Sequence, residues 1–220
     1  MNIIPSIIIL IGLFSFSYGL MSIPTRTPLG YNFLGDVSSE IIMELYLDPE
    51  CPDSADIWND IIIYLDSYFT DAQLAIYYHL FPLPYHMFSY DMSLAVESAW
   101  NLEDNSSVFF SFIYDFFNDQ SQWDNDSTAN TPRSTIQEDI ANYVSSTLDD
   151  DDISANEVLT QMRSSNMDEH LREFWKYGCE HGVSGTPTVM INGVEFVDWM
   201  YSDSEWTVSD WVTFIRSLLV

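Results

Sequence analysis

Leu47 to Trp58 reads LDPECPDSADIW, and what stands on either side of it decides the fold. Upstream, Ile41 to Leu47 (IIMELYL) is short and apolar, and Asp48-Pro49 ends it, so it reads as a buried strand. Downstream, Ile57, Ile61, Tyr64, Leu65 and Tyr68 recur at helical spacing, so Pro52 to Phe69 reads as a helix. Pro52 falls at the first helical position, where its missing N–H costs nothing. Cys51 is then the N-cap, with its sulfur placed to accept from the free N–H groups of the first turn. A helix N-terminus stabilises a thiolate there. Asp53 opposes this, because it sets a negative charge beside the sulfur.

The pattern continues outward. Gln73 to Leu80 reads as a second strand ended by Pro82 and Pro84, and strand–helix–strand over this length predicts parallel pairing. From about Met87 to Gly182 the period is helical. Phe109, Phe110, Ile113, Phe116 and Phe117 form one apolar face, and Ile136, Ile140, Tyr143 and Val144 another. Gln120 to Arg133 is polar and reads as a loop. Thr188 to Ile191 is a third strand, Asn192-Gly193 a hairpin turn, Val194 to Val197 the returning arm, and Thr207 to Leu219 a closing helix. Gly185-Thr186-Pro187-Thr188 leads into the third strand, and its Thr-Pro bond is compatible with a cis peptide. The order is βαβ, a helical block, then ββα.

These pieces together resemble the thioredoxin superfamily, in its DsbA-like branch. The resemblance runs from about Pro28 to Val220 on LDPECPDSADIW, HLFPLPYH (His79 to His86) and GVSGTPTVMING (Gly182 to Gly193). More narrowly, it is similar to secreted eukaryotic thioredoxin-like proteins with a C-P-D-S site. The resemblance implies an α/β thioredoxin-like fold with a helical insertion, about residues 87–182, between the second and third core strands. It implies that Cys51 is the attacking thiol and Pro187 a cis-proline facing it. The Thr186 backbone would pair with an extended substrate segment, flanked by Pro52 and Asp53.

Ser54 departs from the C-x-x-C pattern. A C-x-x-S site can attack a disulfide but cannot resolve the mixed disulfide through that position. Disulfide isomerisation, or exchange with glutathione as partner, remains open to one thiol. A kappa-class glutathione transferase, which shares the fold, has a serine at the helix start. Cys179 is the second cysteine of the chain. It reads as a buried core thiol, as a disulfide partner of Cys51, or as a resolving thiol. His86 follows the Pro82–Pro84 turn, which brings it toward the same face or leaves it at the surface.

Composition bounds the partners. Thirty-four acidic against six basic side chains give a formal charge of −28 over 220 residues. That argues against a nucleic-acid binder and against docking on anionic lipid. With 47% hydrophobic residues the chain has ample material for a core. Residues 1–19 read as a signal peptide, with a membrane anchor as the alternative that their short apolar run disfavours; removal of the peptide leaves a domain over 20–220 with no membrane segment. Asn105 and Asn125 open N-x-[ST] sequons. Both features point to the secretory pathway, with the mature chain secreted or in the ER lumen. No Cys/His spacing suggests a metal ligand set or cofactor. Asp149 to Asp152 does not fit an EF-hand. Three functions stay open: monothiol exchange or isomerisation on extended secretory polypeptides, a redox-inactive binding module or chaperone, and an acidic calcium buffer.

Overall fold

A computed structural model describes residues 28–103, 105–148, 153–202 and 205–219. The signal-peptide reading of residues 1–19 and the Asp149–Asp152 run lie outside the described residues. The sheet has the order β1-β3-β2-β4-β5. Its strands are β1 (Tyr31–Leu34), β2 (Ile41–Leu47), β3 (Leu74–Leu80), β4 (Thr188–Ile191) and β5 (Val194–Glu195). β2 and β3 run parallel, from Ile41 beside Leu74 to Leu47 beside Leu80. β4 is antiparallel to β2, with Met43 opposite Ile191 and Tyr46 opposite Thr188. This register brings the chain entering β4 to the sheet end where β2 leaves.

Helix α1 (Pro52–Ile57) starts at that end and continues through a wider π-type turn, Trp58–Ile62, into α2 (Ile63–Leu65). Trp58 is fully buried, edge-on to Tyr78 and stacked on Phe110. It fastens this helix between the sheet and the inserted block, so truncation to Ala costs about 3–5 kcal/mol. The insertion is made of α3 (Ser89–Leu102), α4 (Ser106–Asp119), α5 (Asn125–Thr128), α6 (Arg133–Thr147), α7 (Ala155–Met162) and α8 (Ser165–Glu180). Helix α9 (Val208–Leu218) closes the chain and buries Trp211 and Ile215.

Three expectations change. β1 has no counterpart in the sequence reading; it pairs antiparallel with β3 at the sheet edge. The polar stretch 120–133 holds a 3₁₀ turn at Gln120–Gln122 and the short helix α5, whose N-cap Asp124 accepts from Ser127 N. The returning arm is shorter than Val194–Val197: β5 ends at Glu195, opposite Met190, with one further bond from Phe196 N to the Val189 carbonyl.

Candidate functional site

Cys51 lies where β2 passes into α1, and its backbone has the extended conformation of an N-cap. The sulfur does not accept from the first turn, contrary to the sequence reading. Instead Sγ lies 3.5 Å from the carbonyl oxygen of Thr186, across the gap between the two motifs. The Thr186–Pro187 bond is cis. Cys51, Pro187 and Thr186 therefore meet, although 135 residues separate Cys51 from Thr186. Thr186 Oγ1 is buried and has no hydrogen-bond partner. Cys51 is 4% exposed, while Pro52 and Asp53 are at the surface.

Ser54 is fully buried, and its hydroxyl accepts from the backbone N–H of Asp48 at 3.2 Å. It braces the loop that carries the thiol. Cys179 is exposed, and both cysteines are free thiols. The buried-core reading of Cys179 is therefore corrected: on α8 it is Gly178 that turns inward, where a Cβ would come within 2.6 Å of the Phe81 ring.

Beneath Cys51 the loop is built on Asp48, which no water reaches. Oδ1 accepts from Glu50 N (2.9 Å) and Ser89 Oγ (2.5 Å). Oδ2 accepts from Leu83 N (3.0 Å) and lies 2.7 Å from His86 Nδ1. Two partners on each oxygen satisfy a carboxylate fully. That hydrogen bond holds the His86 imidazole above its ordinary titration range, more than burial lowers it. Burial pushes the Glu50 carboxyl up to about 7; the hydrogen bond from Phe88 N opposes this, and the Asp48 charge adds to it.

Gln120, in the turn after α4, reaches back into this loop. Its Nε2 donates to the Pro49 carbonyl at 2.7 Å and to the Cys51 carbonyl at 3.3 Å. Asn125, a few residues on, closes on the opposite loop. Its Nδ2 donates to Tyr85 O (2.9 Å) and its Oδ1 accepts from Met87 N (2.7 Å). The other sequon residue, Asn105, caps α4 and accepts from Ser107 N. Asp48, Glu50, Gln120 and Ser89 were not among the site residues read from the sequence. For Asp48, the cue was an acid at the apolar end of a strand; Gln120 gave none.

A second buried polar group lies on the face of the sheet covered by α8. Glu44 Oε2 is 3.0 Å from His79 Nε2, and the His79 ring is stacked between Tyr46 and Tyr177. Burial works to raise the Glu44 carboxyl, but His79 and His181 together hold it below its ordinary value. Among the described residues, no three His, Cys, Asp or Glu side chains are grouped to hold a metal ion.

A thiol at the head of a helix, facing a cis-proline across the end of a β-sheet, defines a thioredoxin-fold protein of the DsbA-like kind. The thioredoxin family profile matches residues 30–215, and the chain belongs to that family. Solved structures agree on the fold. DsbA of Chlamydia trachomatis is similar with a TM-score of 0.66 at 15% identity, over 89% of this chain and 93% of that one. BdbD of Bacillus subtilis gives 0.63 at 15% identity, over 86% and 92%. MdbA, a thiol-disulfide oxidoreductase of Actinomyces oris, gives 0.63 at 14% identity, over 87% and 86%. No curated protein matches the chain in sequence.

Proposed function

We propose that the protein is a monothiol exchange factor of the secretory pathway, which opens and reshuffles disulfides in extended polypeptides. The observation that carries this reading is the approach of Cys51 Sγ to the Thr186 carbonyl beside the cis Pro187. An extended segment lying along Thr186 would present its own sulfur to Cys51. The Cys51 thiolate attacks one sulfur of the substrate disulfide. A Cys51–substrate bond forms, the substrate S–S bond breaks, and its electron pair leaves on the second sulfur, which takes up a proton. Ser54 has no thiol to release the adduct, so a second substrate thiol, or glutathione, completes a redox-neutral exchange.

The test is expression in a secretory cell, with adducts read on non-reducing gels beside Cys51→Ala. Persistent mixed disulfides that vanish in Cys51→Ala are expected. No adducts, or adducts unchanged by the substitution, would overturn the reading. That outcome would favour a redox-inactive binding module, for which the buried Ser54 at the resolving position is the specific observation.

A further inference from the structure

The four segments that frame Cys51 are residues 48–56, 83–89, 120–126 and 184–188. They contain Asp48, Glu50, Asp53, Asp56, Asp124 and Asp126, but no Lys or Arg. Hydrogen bonds tie three of these segments into one rim. Gln120 holds the Cys51 carbonyl, Asn125 holds both sides of His86, and His86 meets Asp48. Asp53, Asp56 and Asp126 stand at the surface of this rim. Asp56 lies in the field of Asp60, Asp53 and Glu205. Among the described residues, four of the five Lys and Arg side chains are engaged elsewhere, and the fifth, Lys176, lies on α8. Arg133 is bound by Asp91, Arg172 pairs with Asp168, Arg163 with Glu138, and Arg216 lies over Phe69. The rim also exposes Tyr85 (63%) and Met87 (57%), one on each side of His86.

We propose that this face selects cationic substrates: extended segments whose disulfide is flanked by Lys or Arg, with an apolar or aromatic neighbour seated on Tyr85 and Met87. Acidic disulfides and glutathione, itself a net anion, are disfavoured. The inference rests on the exchange reading and names its substrate class. Two physical effects act in the same direction. The carboxylates raise the local concentration of cations and repel anions, which changes encounter rates by about 10-fold or more at low salt. They also oppose the negative charge that develops on the leaving sulfur. A substrate cation seated against these carboxylates offsets that repulsion at the transition state, whichever sulfur leaves.

The experiment uses the mature protein and three peptides of equal length. Each carries one cysteine in a disulfide with thionitrobenzoate, flanked by Lys, Ser or Glu. Release of coloured thionitrobenzoate is timed, and each rate is divided by that of the same peptide with 2-mercaptoethanol, which removes differences intrinsic to the peptide. The Lys peptide is expected to exceed the Glu peptide by about 10-fold at low salt. That ratio should collapse toward one as the Debye length shrinks to about 3 Å near 1 M salt. Asp56→Asn combined with Asp126→Asn should narrow the low-salt ratio. Release no faster than with Cys51→Ala, for every peptide, would sink the exchange reading. Release that depends on Cys51 but ranks the peptides equally, or prefers Glu, would overturn the charge selection alone.

Discussion

Ser54 separates attack from resolution. Its oxygen accepts the Asp48 N–H inside a fully buried position, so the site is intact in shape and lacks one sulfur. Ser54→Cys should therefore shorten the life of mixed disulfides by 10-fold or more, as adducts resolve internally; band intensity on non-reducing gels over time checks this. Unchanged adduct lifetimes would mean that position 54 cannot reach the mixed disulfide. Glu50 supplies a second residue-scale expectation. Its folded pKa, about 7, is above the unfolded carboxylate value. Its proton is held more tightly when folded, so this contribution is full at acid pH, below the unfolded value, and is lost as pH rises through about 7. Glu50→Gln should leave stability near pH 4 almost unchanged and raise it above pH 7, measured by urea unfolding at both pH values. Cys51, the Pro52 that starts its helix and the Thr186–Pro187 turn were legible from local signals. The partners of Asp48 were not, because Leu83, His86 and Ser89 are set against it only by the β2–β3 register.

The inserted helices hold the site as well as enlarging the core. The turn from Gln120 to Asn125 contacts both loops at the sheet end, Gln120 on 49–51 and Asn125 on 85–87. The turn is itself anchored by buried Trp123, which packs on Phe116 and Tyr143. Gln120→Ala would leave the buried Pro49 carbonyl without this donor, a loss of about 1–3 kcal/mol. Amide exchange near Glu50 and Cys51 should quicken, while that in β4, on the other side of the site, stays as it was. Uniform quickening would mean a general loss of stability, and no change would mean that the loop stands without the clamp. Most of these elements could be read from period and punctuation: β2, β3, α4, α6 and α9 each carry their own pattern. β1 could not, since Tyr-Asn-Phe-Leu is four residues long and gains strand geometry only by lying against β3. The π-type turn at Trp58–Ile62 has the same character, because it shifts the helical register without interrupting the apolar spacing.

Across the whole chain, 34 acids share six Lys and Arg, and histidines lie against three of the buried acids. Asp91 has Arg133. Glu44, Asp48 and Glu97, all nearly inaccessible, face His79, His86 and His170 respectively. An Arg keeps its charge at any working pH, whereas a histidine does not. Because the Asp48 hydrogen bond raises His86 above its ordinary value, the pair's contribution is complete below the unfolded histidine pKa. It is lost as pH climbs through the folded value. Glu50 adds in the same direction over a lower window. Glu44, held below its ordinary value, runs the other way, and its stability is lost only as pH falls through that lowered value. Acid surface repulsion also grows as the remaining carboxylates ionise, and salt screens it. The melting temperature should then fall by roughly 5 °C or more between about pH 5 and about pH 8 at low salt. Raising ionic strength to about 0.15 M should recover the part owed to surface repulsion and leave the part owed to His86 and Glu50. A His86→Gln variant should show a shallower pH slope at either salt concentration. Thermal unfolding followed by circular dichroism over this pH and salt grid decides the matter: a melting temperature that is flat or rises toward pH 8 would show that His86 bears no charge on which Asp48 depends.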